Sequence, residues 1–228
     1  MNDPEASSGA EEPITIDVVS DAVCPWCFLG KRNLDAALDM LGDVNVGVRW
    51  RPYQLDATIP PGGMSRVDYL TRKFGPERVG QMNTRLIDAG RERGISFAFD
   101  KIERSPNTLD AHRLIRWAQP SGVQDAVVER LFKLYFEEGR DIGDRALLAE
   151  VATEHGFERA MVMRMLESDT DKSAVQEEIA VAQRMGVTGV PFFIVGGKYA
   201  LSGAQPPQAI VEVIRKARDE APSQQTAT

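Results

Sequence analysis

A β-branched run, Ile14-Thr15-Ile16-Asp17-Val18-Val19, leads within a few residues into Cys24-Pro25-Trp26-Cys27, where a helical pattern begins through Phe28, Leu34, Ala37, Leu38 and Leu41. Two cysteines three apart, at the end of a strand and the start of a helix, restrict this chain more than any other feature. The next run alternates Val44, Val46, Val48 and Trp50 with Asn45, Gly47, Arg49 and Arg51, the period of a half-buried strand. The opening is therefore β-α-β over 14–50, and its crossover makes the two strands parallel.

After Pro60-Pro61-Gly62-Gly63 the pattern turns helical for more than a hundred residues. Helices are predicted over 65–74, 76–93, 107–118, 123–138, 144–155 and 158–167. Pro76 suits a first helical position, and Asn107 and Asp144 are suitable caps. A further helix over 171–185 buries Val175, Ile179 and Ala182 and ends at Gly186. Phe192 to Val195 and Tyr199 to Leu201, joined through Gly196-Gly197, read as a hairpin before a last helix from Pro206 to Ala217. The fold class expected is α/β: one mixed sheet built from 13–60 and 171–219, with a large helical domain inserted at 61–170. The polar ends, 1–12 and 220–228, lack the apolar groups that would offset the entropy of ordering them.

The cysteines are the place to look for chemistry. A helix N-terminus presents unpaired N–H groups and partial positive charge, which favours a thiolate on Cys24. Pro25 sits where a missing N–H costs nothing, which leaves the amides of Trp26 and Cys27 to face that sulfur. Cys27, one turn on, can attack a mixed disulfide on Cys24. The alternative of half a zinc site fits poorly, because no other cysteine exists and His112 and His155 stand far off. Lys and Arg number 27 against 34 Asp and Glu, a net charge of -7, which disfavours nucleic acid. No segment has the length of a membrane span, and Met1 to Glu12 lacks a signal-peptide core, so a cytoplasmic location is expected.

Four stretches resemble the DsbA-like thioredoxin-fold thiol–disulfide oxidoreductases, and within them the FrnE-type branch: Ser20 to Cys27, Asn107 to Leu114, Gly186 to Phe193, and Ser202 to Pro206. The resemblance runs from about Ile14 to Ala217. It implies a thioredoxin-like sheet and a cis-proline element at Val190-Pro191 that faces the cysteines and, with Pro25 and Trp26, receives substrate. It also places Asn107, Thr108 and His112 near the substrate groove. From the residues alone, Asn107 is a helix cap and His112 packs beside the stripe of Ala111, Leu114, Ile115 and Ala118. The chain departs from the family pattern twice. Val18 stands where many members hold a buried acid, leaving Asp21 as a candidate for proton handling or as a cap, and Trp26 replaces the histidine of strongly oxidising members.

The function implied is dithiol–disulfide exchange with a protein or small-molecule partner, without a bound cofactor or metal but with glutathione or another thiol as redox partner. Two other readings compete. One is a glutathione-dependent isomerase or transferase of the 2-hydroxychromene-2-carboxylate isomerase or kappa type; such enzymes carry a serine or similar residue where this chain has Cys24. The other is a non-catalytic chaperone or binding module.

Overall fold

A computed structural model describes residues 12–42 and 44–220. Apart from Glu12 and Glu220, the ends expected to be loose lie outside those residues. Strand β1 (Ile14–Ser20) pairs in parallel with β2 (Val46–Pro52), and helix α1 (Pro25–Leu41) makes the crossover. On its other edge β1 pairs antiparallel with β5 (Phe192–Val195), which pairs antiparallel with β6 (Tyr199–Ser202). The sheet order is β2-β1-β5-β6, mixed as the sequence predicts. Helix α9 (Pro207–Asp219) packs beside α1 and buries Ile210, Val211 and Ile214.

Between β2 and β5 come α2 (Arg66–Phe74), α3 (Pro76–Arg91), α4 (Leu109–Ala118), α5 (Gln124–Phe136), α6 (Arg145–Glu154), α7 (Arg159–Glu167) and α8 (Lys172–Arg184). Two-residue strands β3 (Met64–Ser65) and β4 (Arg104–Ser105) pair antiparallel across the base of the α2–α3 hairpin. Two residues carry no period, so this pair is not legible in the sequence pattern, which assigns Ser65 to a helix. Ser65 instead caps α2, its hydroxyl accepting from the Asp68 amide.

The inserted helices share one continuous hydrophobic core with the sheet. Phe28 of α1 stacks on Phe132 of α5 at 5.1 Å between ring centroids and meets Phe97 edge-on at 6.1 Å. Trp50 of β2 also meets Phe132, and its indole N–H donates to Asp125 at 3.0 Å. Each such buried ring contributes roughly 1.5–3 kcal/mol by leaving water. Lys31, one turn past Cys27, is 3% exposed and contacts Asp35 at 2.9 Å, Asp125 at 3.1 Å and Glu129 at 3.6 Å. Burial pulls its pKa down, but Asp125 and Asp35 outweigh that and leave it raised. Ions thus fasten α1 to α5 beside the rings.

Arg113 is the largest fully buried side chain. Its guanidinium donates to the Thr170 carbonyl at 2.7 Å, Ser168 at 2.9 Å and Leu166 at 3.2 Å, and also to the Met165 carbonyl. A 2.6 Å ion pair to Asp110 balances the charge. It therefore satisfies the carbonyls left unpaired where α7 ends. Arg113→Met removes the donor and leaves Asp110 with one cation fewer. The variant is expected to lose about 3–5 kcal/mol in a urea melt, as when one partner of a buried ion pair is removed.

Candidate active site

The junction of β1 and α1 is built from backbone upward. The Cys24 amide donates to the Asp21 carbonyl at 2.9 Å, which turns the chain, and Cys24 then takes the N-cap position in extended conformation with Pro25 as the first helical residue. The Cys27 amide donates to the Cys24 carbonyl at 2.9 Å. That corrects the expectation that this amide faces the Cys24 sulfur. Both cysteines are free thiols; Cys24 is 4% exposed and Cys27 wholly buried. The Cys24 thiol lies 3.6 Å from the Val190 carbonyl, which it meets as donor.

Burial pushes the Cys27 thiol well above its ordinary pKa, and the neighbouring Cys24 adds to the shift. The Ser20 hydroxyl and the Asp21 backbone pull the other way without offsetting the burial. Cys27 is held as a protonated thiol and must release a proton before it can attack.

The Val190–Pro191 peptide bond is cis. Pro191 is buried against α1 at Gly30, where an added Cβ would stand 2.8 Å from the ring Cγ. Its carbonyl accepts the Gly203 amide at 2.8 Å, and Asn33 of α1 donates to the Gln205 carbonyl at 3.0 Å. The stretch Ser202 to Pro206 therefore backs the proline from behind.

Asp17 lies on the far side of β1 from the cysteines and pairs with Arg49 and Arg51, while Val18 is buried. The buried acid nearby is Asp21, wholly enclosed. One of its carboxylate oxygens accepts the Leu55 amide at 2.8 Å and the other meets His112 Nε2 at 3.3 Å. Asp21 does not cap α1. His112 is 3% exposed, and its Nδ1 has no partner among the described residues. Asn107 precedes α4, accepting the Leu109 and Gln54 N–H groups and donating to the Ile59 carbonyl.

A cavity of about 280 Å³ opens at Cys24. Its floor is Cys24, Pro25 and Trp26, with Gly189 and Val190 beside them. Tyr69, Leu70 and Phe74 of α2 and Val79, Met82 and Leu86 of α3 form a roof. Of the groove residues expected from sequence, Thr108 lines this cavity, whereas Asn107 and His112 lie behind the wall; Val190 lines it, and Pro191 supports it. The roof went unread, although Tyr69, Leu70, Lys73 and Phe74 recur at helical spacing on one face. Among the described residues no cluster of His, Cys, Asp and Glu could hold a metal ion.

Comparison with known proteins agrees with this geometry. The family model for a DSBA-like thioredoxin domain matches residues 15–215. A probable DsbA oxidoreductase of Streptomyces coelicolor has a TM-score of 0.84 at 26% identity, covering 93% of each chain. The cytosolic disulfide reductase DsbM of Pseudomonas aeruginosa, solved with GSH, has a TM-score of 0.62 at 18% identity over 89% of this chain and 99% of its own. A 2-hydroxychromene-2-carboxylate isomerase reaches 0.67, also at 18%, over 91% and 100%. The uncharacterized protein YwbO of Bacillus subtilis is 27% identical over 184 residues, 80% of this chain and 87% of its own. At 18% identity the likeness is one of fold alone.

Two outcomes test the site. Gly30→Ala forces a methyl into Pro191, so it should cost about 1–3 kcal/mol in a denaturant melt and slow thiol exchange with it. The rate at which Cys27 resolves a preformed mixed disulfide on Cys24, followed by stopped flow, should go on rising with pH beyond about 10, where an ordinary cysteine is already almost fully ionised.

Proposed function

The chain belongs to the DSBA-like thioredoxin domain family of thiol–disulfide oxidoreductases, and from that premise we propose that it exchanges disulfides through Cys24 as nucleophile and Cys27 as resolving thiol. The observation that carries this reading is the stacking of roles at one helix end: Cys24 faces the cavity and the Val190 carbonyl, and Cys27 is sealed beneath it.

The Cys24 thiolate attacks one sulfur of a substrate disulfide. A bond forms between Cys24 Sγ and that sulfur, the substrate S–S bond breaks, and the departing thiolate takes a proton from water. Cys27 then releases its proton and attacks Cys24 Sγ. The mixed disulfide breaks, the second substrate thiol leaves, and two electrons have passed from the protein dithiol to the substrate. A low-molecular-weight thiol of the glutathione type restores the dithiol by two successive exchanges, a role consistent with the DsbM structure that contains GSH. Neither reaction calls for a metal or a resident cofactor.

Among the described residues no helix is long and apolar enough to cross a membrane. We place the protein in the cytoplasm, where a reducing glutathione pool favours reduction or isomerisation over net disulfide formation. The neutral Trp26 adds no positive charge beside the sulfur.

Cys24→Ser should abolish disulfide turnover, and Cys27→Ser should accumulate a substrate adduct on Cys24 visible by mass spectrometry. Retained turnover in Cys24→Ser would sink the reading. Equilibrated in glutathione buffers, the pair should show a two-electron potential more negative than the roughly -120 mV of the strongly oxidising periplasmic enzyme.

A further inference from the structure

One cation in the cavity above Cys24 has no carboxylate in contact with it among the described residues. Arg66, the first residue of α2, lines it, and its guanidinium donates to the Tyr135 hydroxyl at 3.0 Å while lying over the Phe99 and Tyr135 rings at 5.8 and 5.7 Å. The Tyr135 hydroxyl in turn donates to the Arg104 carbonyl at 3.1 Å. No carboxylate pairs with Arg66 among the described residues. Of the other charges on the walls, Lys73 lies 3.8 Å from Asp56, and Asp21 is an enclosed carboxylate held by the Leu55 amide and His112. The remaining surface is largely aliphatic and aromatic, and its volume sits near the lower end of small-ligand pockets, roughly 300–1,000 Å³.

The roof explains what can enter. Helix α2 buries no residue in the core, so its inner face meets the cavity instead. Cys24 beneath it is only 4% exposed, so a disulfide that enters the cavity meets the sulfur under cover of α2 and α3.

We propose that the cavity is the binding site for a small organic disulfide with an aromatic or aliphatic body and an anionic group, the body held between Trp26 and the α2–α3 roof and the anion by Arg66. This assignment of substrate class rests on the oxidoreductase reading above. The electron balance is the one already given: Cys24 and Cys27 supply two electrons to the substrate S–S bond, and an external low-molecular-weight thiol returns them. Arg66 contributes affinity and orientation, setting the scissile sulfur over Cys24, and takes no part in the exchange itself.

Calorimetry on the full-length Cys24→Ser protein separates binding from chemistry. Naphthalene-2-carboxylate should bind saturably and more tightly than the neutral 2-naphthylmethanol. Arg66→Met should weaken the carboxylate about tenfold more than the alcohol, with Arg66→Lys in between, the size expected for one charge-assisted hydrogen bond. Leu70→Trp, which fills the cavity, should lower kcat/KM for 5,5′-dithiobis(2-nitrobenzoate) about tenfold in the otherwise native protein. Equal loss for the carboxylate and the alcohol, absence of carboxylate binding, or an unchanged kcat/KM in Leu70→Trp overturns the proposal. Insulin reduction that falls in Arg66→Met and Leu70→Trp while the naphthoate fails to bind assigns the cavity to a protein partner and equally overturns it. The two readings fail separately: turnover that survives Cys24→Ser removes the oxidoreductase reading, and Arg66-dependent naphthoate binding in that same variant would leave the anion site standing.

Discussion

The stacking of Phe28 on Phe132 holds the two halves of this molecule in register. Phe28 stands one residue beyond Cys27, so the helix that presents the sulfurs is the same helix that fastens the inserted domain. Phe97, Phe99 and Phe136 extend the cluster toward the α2–α3 hairpin. Aromatic pairs add roughly 0.5–1.5 kcal/mol each beyond burial and fix orientation as well as distance. Geometry at Cys24 is therefore set from two sides, by the β1–α1 turn and by rings that belong to the insert.

Most polar groups buried around those rings are satisfied, Arg32 Nε and Glu129 Oε2 having no hydrogen-bond partner among the described residues. Lys31 is surrounded by carboxylates, and Gln124 of α5 accepts the Trp50 amide at 2.8 Å while donating to the Trp50 and Ile115 carbonyls. His112 is the exception near the sulfurs. Its pairing with Asp21 puts an enclosed carboxylate at the end of β1, where the strand itself offers only Val18. A buried carboxylate of this kind is tolerated because a backbone amide and an imidazole together replace its lost hydration.

Local patterns in the sequence were sufficient for β1, α1, β2 and the β5–β6 hairpin, because each has the period, capping proline or glycine turn that its geometry requires. The mixed sheet and the placement of Cys24 followed from those. What escaped were contacts between residues far apart in sequence. Asp21 and His112 are 91 residues apart, and a lone histidine beside an apolar stripe has the same appearance whether or not a carboxylate awaits it. Arg113 has only Asp110, three residues earlier, as a local partner, and nothing local announces the carbonyls at the end of α7. The roof over the cavity was overlooked for another reason. Helix α2 is amphipathic, but its apolar face meets a void, and periodicity cannot tell a void from a core.

The enclosure of Cys24 beneath that roof has a kinetic side. A dithiol open to solvent exchanges with every disulfide in the cell and drifts toward the potential of the bulk thiol pool. Here Cys24 is only 4% exposed and opens on a largely apolar cavity, so a reagent must enter that cavity before it meets the sulfur. On the reading proposed above, entry into the cavity would set the pace at which the pair exchanges with the surrounding thiol pool, while the equilibrium with that pool would be unchanged.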